Sequence, residues 1–288
     1  MSILSLHEPD APASEVGFDA YLGAARGRFL GDGHRRVNLE LSDLVATDAA
    51  TAEGVARVVY PRDWSLKAGV SREAHLSTAD AIRVAGAVRS ALVASAMTWL
   101  SEYGYERSLT VRAGARPFTE LNAVPVRTQV DRVGPDAVRL SHSVGTLKVE
   151  SEWTRSEPPT FADDRWQAGN ATDVRLVNDS RVSCTYERRS SALSSVSFLE
   201  VMMLTAQMSQ VALYQGDADR RAQSGNMWLR RAGFLRHTPT PQRLAGVELD
   251  VVNRRDLIVG GRAVQTVDVV AEDVFGIQVT ASLATGTS

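Results

Sequence analysis

Apolar residues at Ile82, Ala85, Val88, Leu92, Val93, Ala96, Trp99 and Leu100 recur in steps of three and four, the spacing that lays one apolar stripe along a helix. The stripe predicts a helix from Ser77 to about Tyr103, closed by Gly104. Ser77 and Asp80 stand as a capping pair at its start: the hydroxyl accepts an orphan backbone N–H, and the acid favours the positive helix end. A second apolar run, Val196 to Tyr214, predicts another helix, and its opening Ser197 and Glu200 lie 120 residues further on. Elsewhere the pattern tightens to alternation. It predicts strands at Val37–Leu41 and Ala56–Tyr60 before the first helix, and at Ser108–Arg112, Val124–Val133 and Val138–Val149 after it, the last broken near Gly145. The second helix is flanked in the same order, by Val174–Val177 and Val182–Glu187, then by Met227–Arg231, Val247–Val252 and Ala263–Leu283.

The chain therefore reads as one unit written twice. Arg107–Gly114 matches Met227–Phe234 at the helix offset of 120, Ala137–Val144 matches Ala263–Val270 at 126, and Gly145–Ser151 faces Gly276–Ser282. The likeness is one of pattern, with little identity. Each copy offers strands, one long apolar helix, then three or four antiparallel strands. A helix this apolar has to be wrapped by its own sheet. The arrangement with that order is the hotdog fold, and the expected class is α+β, a double hotdog of two tandem units. The first unit spans residues 1–155 with a flexible lead-in at 1–15. A connection rich in Pro, Asp, Gly and Asn covers 156–172, and the second unit takes 173–288.

Composition narrows the function classes. The chain has 288 residues, 44% hydrophobic and 23% charged, enough to bury a core without staples. A net charge of -2 leaves no basic footprint for nucleic acid. Cys184 is the single cysteine, which excludes an internal disulfide and a thiolate metal site, and the histidines are too scattered for a ligand set. Met1–Ala11 has no secretory pattern, and the most apolar stretch, Val84–Leu100, is interrupted by Arg89, too polar to span a membrane. A cytoplasmic protein, monomer or homodimer, without cofactor, is the expectation. No Gly-rich loop before a helix and no nucleophile elbow is present.

Four segments carry a family resemblance: Phe29–Val37 (FLGDGHRRV), Tyr60–Lys67 (YPRDWSLK), His75–Ala81 (HLSTADA) and Asp273–Leu283 (DVFGIQVTASL). Together they resemble the avirulence protein D family, from about residue 20 to the end. The resemblance implies an enzyme that joins a beta-ketoacyl thioester, carried by coenzyme A or an acyl carrier protein, to a sugar-type hydroxyketone. It is similar in chemistry to the A-factor biosynthesis enzymes.

His75 is the leading candidate for catalysis, because it lies two residues before a helix start, where free N–H groups and the positive dipole end converge. There it could act as a general base while helix N–H groups hold an oxyanion. Asp80 and Glu200, equivalent in the two copies, are the candidate acids for a second proton transfer, although an acid three residues into a helix is ordinary capping chemistry. Trp64 and Lys67, the latter one of two lysines, form a polar-aromatic cluster suited to a sugar or phosphate. Ser77 and Ser197 complete the substrate-binding set. The acyl chain is expected along the central helices, beside Val88, Leu92 and Met208. Ser195 stands where His75 would recur, so one groove of the pair should be active. A dehydratase or thioesterase of the same fold and a non-catalytic acyl-binding protein remain open alternatives.

Overall fold

The computed structural model describes residues 16–67, 70–71, 73–155, 169–188, 195–224, 227–238, 242–259 and 261–286. A short helix, α1 (Asp19–Leu22), leads to a hairpin of β1 (Asn38–Ala46) and β2 (Thr51–Val59). Asp48 closes that hairpin, its Oδ1 accepting from the N–H groups of Ala50 (2.7 Å) and Thr51 (2.8 Å). A two-rung hairpin, β3 (Leu66–Lys67) with β4 (Val70–Ser71), precedes helix α2 (Thr78–Ala94). Strands β5 (Tyr105–Arg112), β6 (Val124–Gly134), β7 (Ala137–Val144) and β8 (Leu147–Thr154) follow. The order then recurs: β9 (Asn170–Asn178), β10 (Arg181–Glu187), α3 (Phe198–Tyr214), a short α4 (Ala218–Gln223), β11 (Met227–Arg236), β12 (Leu244–Val259), β13 (Arg262–Ala271) and β14 (Ile277–Gly286).

The long strands make one antiparallel sheet in the order β1-β2-β6-β7-β8-β5-β11-β14-β13-β12-β10-β9. Read inward from either edge, the two halves visit corresponding strands in the same sequence. They meet at β5 and β11, paired from Ser108↔Leu235 to Arg112↔Arg231. Helix α2 packs on β1, β7 and β8, helix α3 packs on β10 and β12, and the two helices touch each other. This is a hotdog-type fold.

Both long helices have 17 residues and stand 120 apart, and each is capped as its sequence predicts. Ser77 accepts from the Asp80 N–H and Ser197 from the Glu200 N–H, both at 3.1 Å. The first helix is shorter than its apolar stripe. It ends at Ala94, where the Ser95 hydroxyl donates to Ala91 O (2.7 Å) and the Met97 N–H reaches back to Leu92 O (2.7 Å). That closure spends the last carbonyls before Gly104 is reached, and Trp99 and Leu100 fall in a separate 3-10 turn, Thr98–Glu102. The stretch read as one strand over Ala263–Leu283 is two, β13 and β14, parted by a turn in which Phe275 and Gly276 have φ of 56° and 78°.

The strand offsets also needed correction. An offset of 126 equates His142 with Asp268, yet β7 buries Val138, Leu140, His142 and Val144 while β13 buries Val267, Val269 and Ala271. Only an odd offset superposes those faces, since a one-residue slip turns every side chain of a strand over. His142, which the sequence reading allowed to face solvent, is 3% exposed and hydrogen-bonded to the Thr128 hydroxyl (2.9 Å).

Burial divides unevenly between the helices. Helix α3 buries 14 of its 17 residues, whereas α2 buries 7 of 17. The extra cover comes from the N-terminal segment, which crosses onto the second half: the Tyr21 hydroxyl donates to Val174 O (3.0 Å), the Val174 N–H to Val16 O (2.8 Å), and Leu22 is 1% exposed. Among the described residues no helix is long and apolar enough to cross a membrane.

Burial drives the pKa of His142 down to about 4. The folded protein therefore keeps this ring neutral, while the unfolded chain protonates it near the ordinary 6.5. Its contribution is whole above that value and is lost as pH falls toward 4, by up to about 1.4 kcal/mol per pH unit. We expect His142→Gln to flatten the decline in urea-denaturation midpoint between pH 7 and pH 5, leaving the slope from His34, also held near 4 by burial. A decline as steep as in the unmodified protein would remove His142 from the acid sensitivity.

Candidate active site

The start of α2 carries the first cluster of polar side chains. Strand β2 ends at Val59, so the next residue, Tyr60, turns inward, and its hydroxyl donates to Asp80 Oδ2. The same hydroxyl oxygen accepts from the Ser77 N–H (3.2 Å), and the Ser77 hydroxyl donates to Asp80 Oδ2 at 2.5 Å. Arg83 completes the set, bonding Asp80 Oδ1 at 3.2 Å. Asp80 is 0% exposed, and burial raises its pKa against the opposing pull of Ser77, Tyr60 and Arg83. The second copy rebuilds the motif: the Tyr186 hydroxyl donates to Glu200 Oε1 (3.1 Å), the Gly169 N–H donates to Tyr186 (2.8 Å), and Arg188 lies 3.9 Å from Glu200. Burial raises the pKa of Glu200 as well. Each acid thus locks the start of its helix to the strand before it.

The second cluster is aromatic. Trp64 is 5% exposed and meets Tyr60 and Phe29 edge-on, at 5.0 and 5.3 Å between ring centres. His75 lies between Trp64 (5.7 Å, edge-on) and Trp228 of β11 (4.9 Å, tilted 34°). Its Nδ1 is 3.3 Å from Glu73 O. A carbonyl only accepts, so that contact puts the proton on Nδ1 and leaves Nε2 with its lone pair. Burial lowers the His75 pKa, outweighing Glu73 and Asp80, which raise it.

These groups border a cavity of about 860 Å³, within the size range of small-molecule sites. His75, Trp64, Ser77, Thr78 and Ala79 form part of its wall, with the segment Ala113–Phe118, Met227–Arg230 and one face of α3: Met202, Thr205, Ala206, Ser209 and Gln210. Phe234, Val269, Val279 and Leu283 supply an apolar side. The Asp80 N–H is taken by Ser77 Oγ and the Ala81 N–H by Ser77 O, whereas the first-turn N–H groups of Thr78 and Ala79 have no acceptor within the helix. Both of those residues border the cavity. His75 and the first two residues of α2 therefore share one wall.

The remaining sequence candidates fall elsewhere. Asp80, Glu200 and Ser197 are not part of the cavity wall; the two acids are consumed by their tyrosines and the serine by its cap. Lys67 closes β3, and its side chain lies outside the described residues. Val88, Leu92 and Met208, expected along an acyl tunnel, are buried core and not part of the cavity wall, which takes a different face of α3 from the one that carries Met208. Trp228, Tyr60 and Tyr186 were missed. A signal for the tyrosines was available, since both follow or end a strand ahead of a capped helix at an offset of 126. Among the described residues no group of three or more His, Cys, Asp or Glu is placed to hold a metal ion.

The family model described as Pseudomonas avirulence D protein matches residues 14–160 and 160–286. The chain belongs to the avirulence D family. No curated protein matches it. Among solved structures, a Lactobacillus plantarum protein provisionally described as an oleoyl thioesterase has a TM-score of 0.50 at 11% identity, over 82% of this chain and 96% of that one. That likeness concerns the fold alone. The tesB protein of Mycobacterium avium subspecies paratuberculosis is similar at a TM-score of 0.42 and 15% identity, over 90% of this chain and 99% of that one. A trans-AT PKS dehydratase domain from Brevibacillus brevis has a TM-score of 0.42 and 14% identity, over 74% and 86% of the two chains.

The hydrogen bonds around Asp80 make a prediction about stability. Tyr60→Phe removes one donor from a fully buried carboxyl and should destabilise the protein by about 1–3 kcal/mol. Ser77→Ala should cost about 1 kcal/mol or more, from loss of the cap and of a second donor. Chemical denaturation decides it: a Tyr60→Phe change below about 0.5 kcal/mol, the range of ordinary surface substitutions, would show that Asp80 does not depend on that bond.

Proposed function

We propose that the chain is a double hotdog, two tandem units sharing one cavity, and that it transfers an acyl group from a thioester to a hydroxyl. The donor in this reading is a beta-ketoacyl thioester of coenzyme A or a carrier protein, and the acceptor is a sugar-type hydroxyketone. Membership of the avirulence D family supports the reaction class. The observation that carries the site is the wall shared by His75, Thr78 and Ala79.

In this mechanism the acceptor hydroxyl lies against His75 Nε2, which takes its proton as the oxygen attacks the thioester carbonyl carbon. The carbonyl oxygen gains charge next to the Thr78 and Ala79 N–H groups, at the positive end of α2. Collapse of the tetrahedral species breaks the C–S bond, and the imidazolium returns the proton to the departing thiolate. An ester and a free thiol result, with no change of redox state. Trp64 and Trp228 hold the imidazole plane, and the Glu73 carbonyl holds its tautomer. The acyl chain lies against the apolar side formed by Phe234, Val269, Val279 and Leu283. Asp80 and Glu200 take no proton-transfer step here; they hold the two helix starts in place.

His75→Ala should lower kcat by about 10²–10⁴-fold while the protein still binds a non-reactive thioester analogue. Undiminished turnover would remove His75 from the mechanism. Incubation with a beta-ketoacyl thioester, with and without a pentulose, separates the chemistries by mass spectrometry. An ester adduct supports transfer, free acid formed without acceptor identifies a thioesterase, and binding without either product identifies an acyl-binding protein.

The pH profile gives a second test. The active form is neutral His75, and burial lowers its pKa below the ordinary 6.5. Activity should therefore persist as pH falls to 6.5 and decline only below it. An acid limb of kcat/KM centred above that value would contradict a buried, neutral base.

A further inference from the structure

Among the described residues that line the cavity, Arg221 is the buried cation. It projects from α4 into the cavity wall and is 7% exposed, yet among the described residues it forms no ion pair. Its one hydrogen bond to a described group runs from a terminal nitrogen to Leu22 O at 3.3 Å, and its Nε is buried without a partner. Arg28 lies close enough to add a second positive charge, and among the described residues its ion-pair partner is Asp19, whose side chain is 59% exposed, with Asp32 acting on it at longer range. Burial and Arg28 both lower the Arg221 pKa, but a guanidinium does not surrender its proton in a protein. A buried charge left unpaired is costly, and natural structures keep one where a ligand supplies the counter-charge. In the lining of the same cavity, Gln210 is 8% exposed, and its Oε1 is buried and accepts from no donor. Thr205 and Ser209, about one turn apart on α3, donate their hydroxyls to Val201 O and Thr205 O, which leaves their oxygens as further acceptors at the cavity.

We propose that Arg221 and Gln210 form a subsite for a phosphorylated polyol, the guanidinium taking the phosphate and the amide oxygen a hydroxyl. A planar guanidinium matches phosphate oxygens two at a time, and the row of acceptors on α3 matches a row of hydroxyls. The opposite, apolar side of the cavity is left for the acyl chain. The inference deepens the transfer reading, on which it rests for the ligand's role as acceptor, by making that acceptor a phosphate ester. The binding itself does not depend on turnover.

Calorimetric titration of the full chain with xylulose 5-phosphate, free xylulose and inorganic phosphate tests it. The phosphate ester should bind at least about tenfold more tightly than the free sugar, the gain expected of a charge-assisted bidentate contact, and inorganic phosphate should compete with it. Arg221→Gln should abolish that difference, and Gln210→Leu should weaken both sugars while leaving inorganic phosphate unaffected. Equal affinity for the two sugars in the unmodified protein would overturn the proposal without any variant, which covers the case of an Arg221→Gln protein that fails to fold. Acyl-pantetheine against acyl-coenzyme A separates the other source of phosphate. If Arg221→Gln weakens only the coenzyme A thioester, the cation serves the donor and the acceptor assignment is wrong. Tight binding of the sugar phosphate with no ester product would uphold the subsite and reject acyl transfer.

Discussion

The antiparallel ladder between β5 and β11 is the contact on which the rest of the structure depends. Its five residue pairs join two half-sheets into one surface and bring α2 and α3 side by side. In chain order β5 comes after α2 and its 3-10 turn, and β11 comes after α3 and the short helix α4. Pairing them therefore sets the start of α2 against β11 and the length of α3. Without that register His75 would have no Trp228 across from it, and the cavity would lose a wall.

The two copies keep the same scaffold and divide the work differently. Each holds its helix start with a serine cap, a buried acid and a tyrosine, a set of bonds that costs less to keep than to break once the acid is out of water. In the first copy the helix start held by this lock borders the cavity through His75, Thr78 and Ala79. In the second the lock holds α3, a helix buried nearly all round, whose cavity-facing side carries small, hydroxyl and amide residues among its methionines. Both halves line the cavity. The N-terminal segment crosses between them to bring Leu22 and Arg28 beside Arg221.

The helix pair, its caps and the order of strands were legible because each rests on local physics: a 3.6-residue apolar period, a hydroxyl three residues ahead of an N–H, a two-residue alternation. The placing of Ser77 as the cap, with His75 two residues ahead of it, was legible for the same reason. What misled was reading past the local rule. The apolar stripe ran through Ser95, where a side chain and a backbone N–H close the helix early. Matching letters aligned His142 with Asp268, although strand parity forbids it. Asp80 and Glu200 looked available for chemistry because sequence does not reveal that a tyrosine from a preceding strand has claimed each of them.

The sequence by itself determined a doubled unit of strands around a capped apolar helix, with a histidine just ahead of that helix in one copy only. These follow from residue periodicity and from steric and hydrogen-bonding preferences that act within a few positions of the chain. Only the tertiary structure decided that the cavity runs along α3 rather than α2, that Trp228 faces His75, and that Arg221 is buried with no carboxylate partner among the described residues. Those outcomes depend on which surfaces are left uncovered after a sheet of 12 strands and a crossing N-terminal segment have packed on two helices. Such a remainder is set by contacts between residues far apart in the chain, and no local pattern records it.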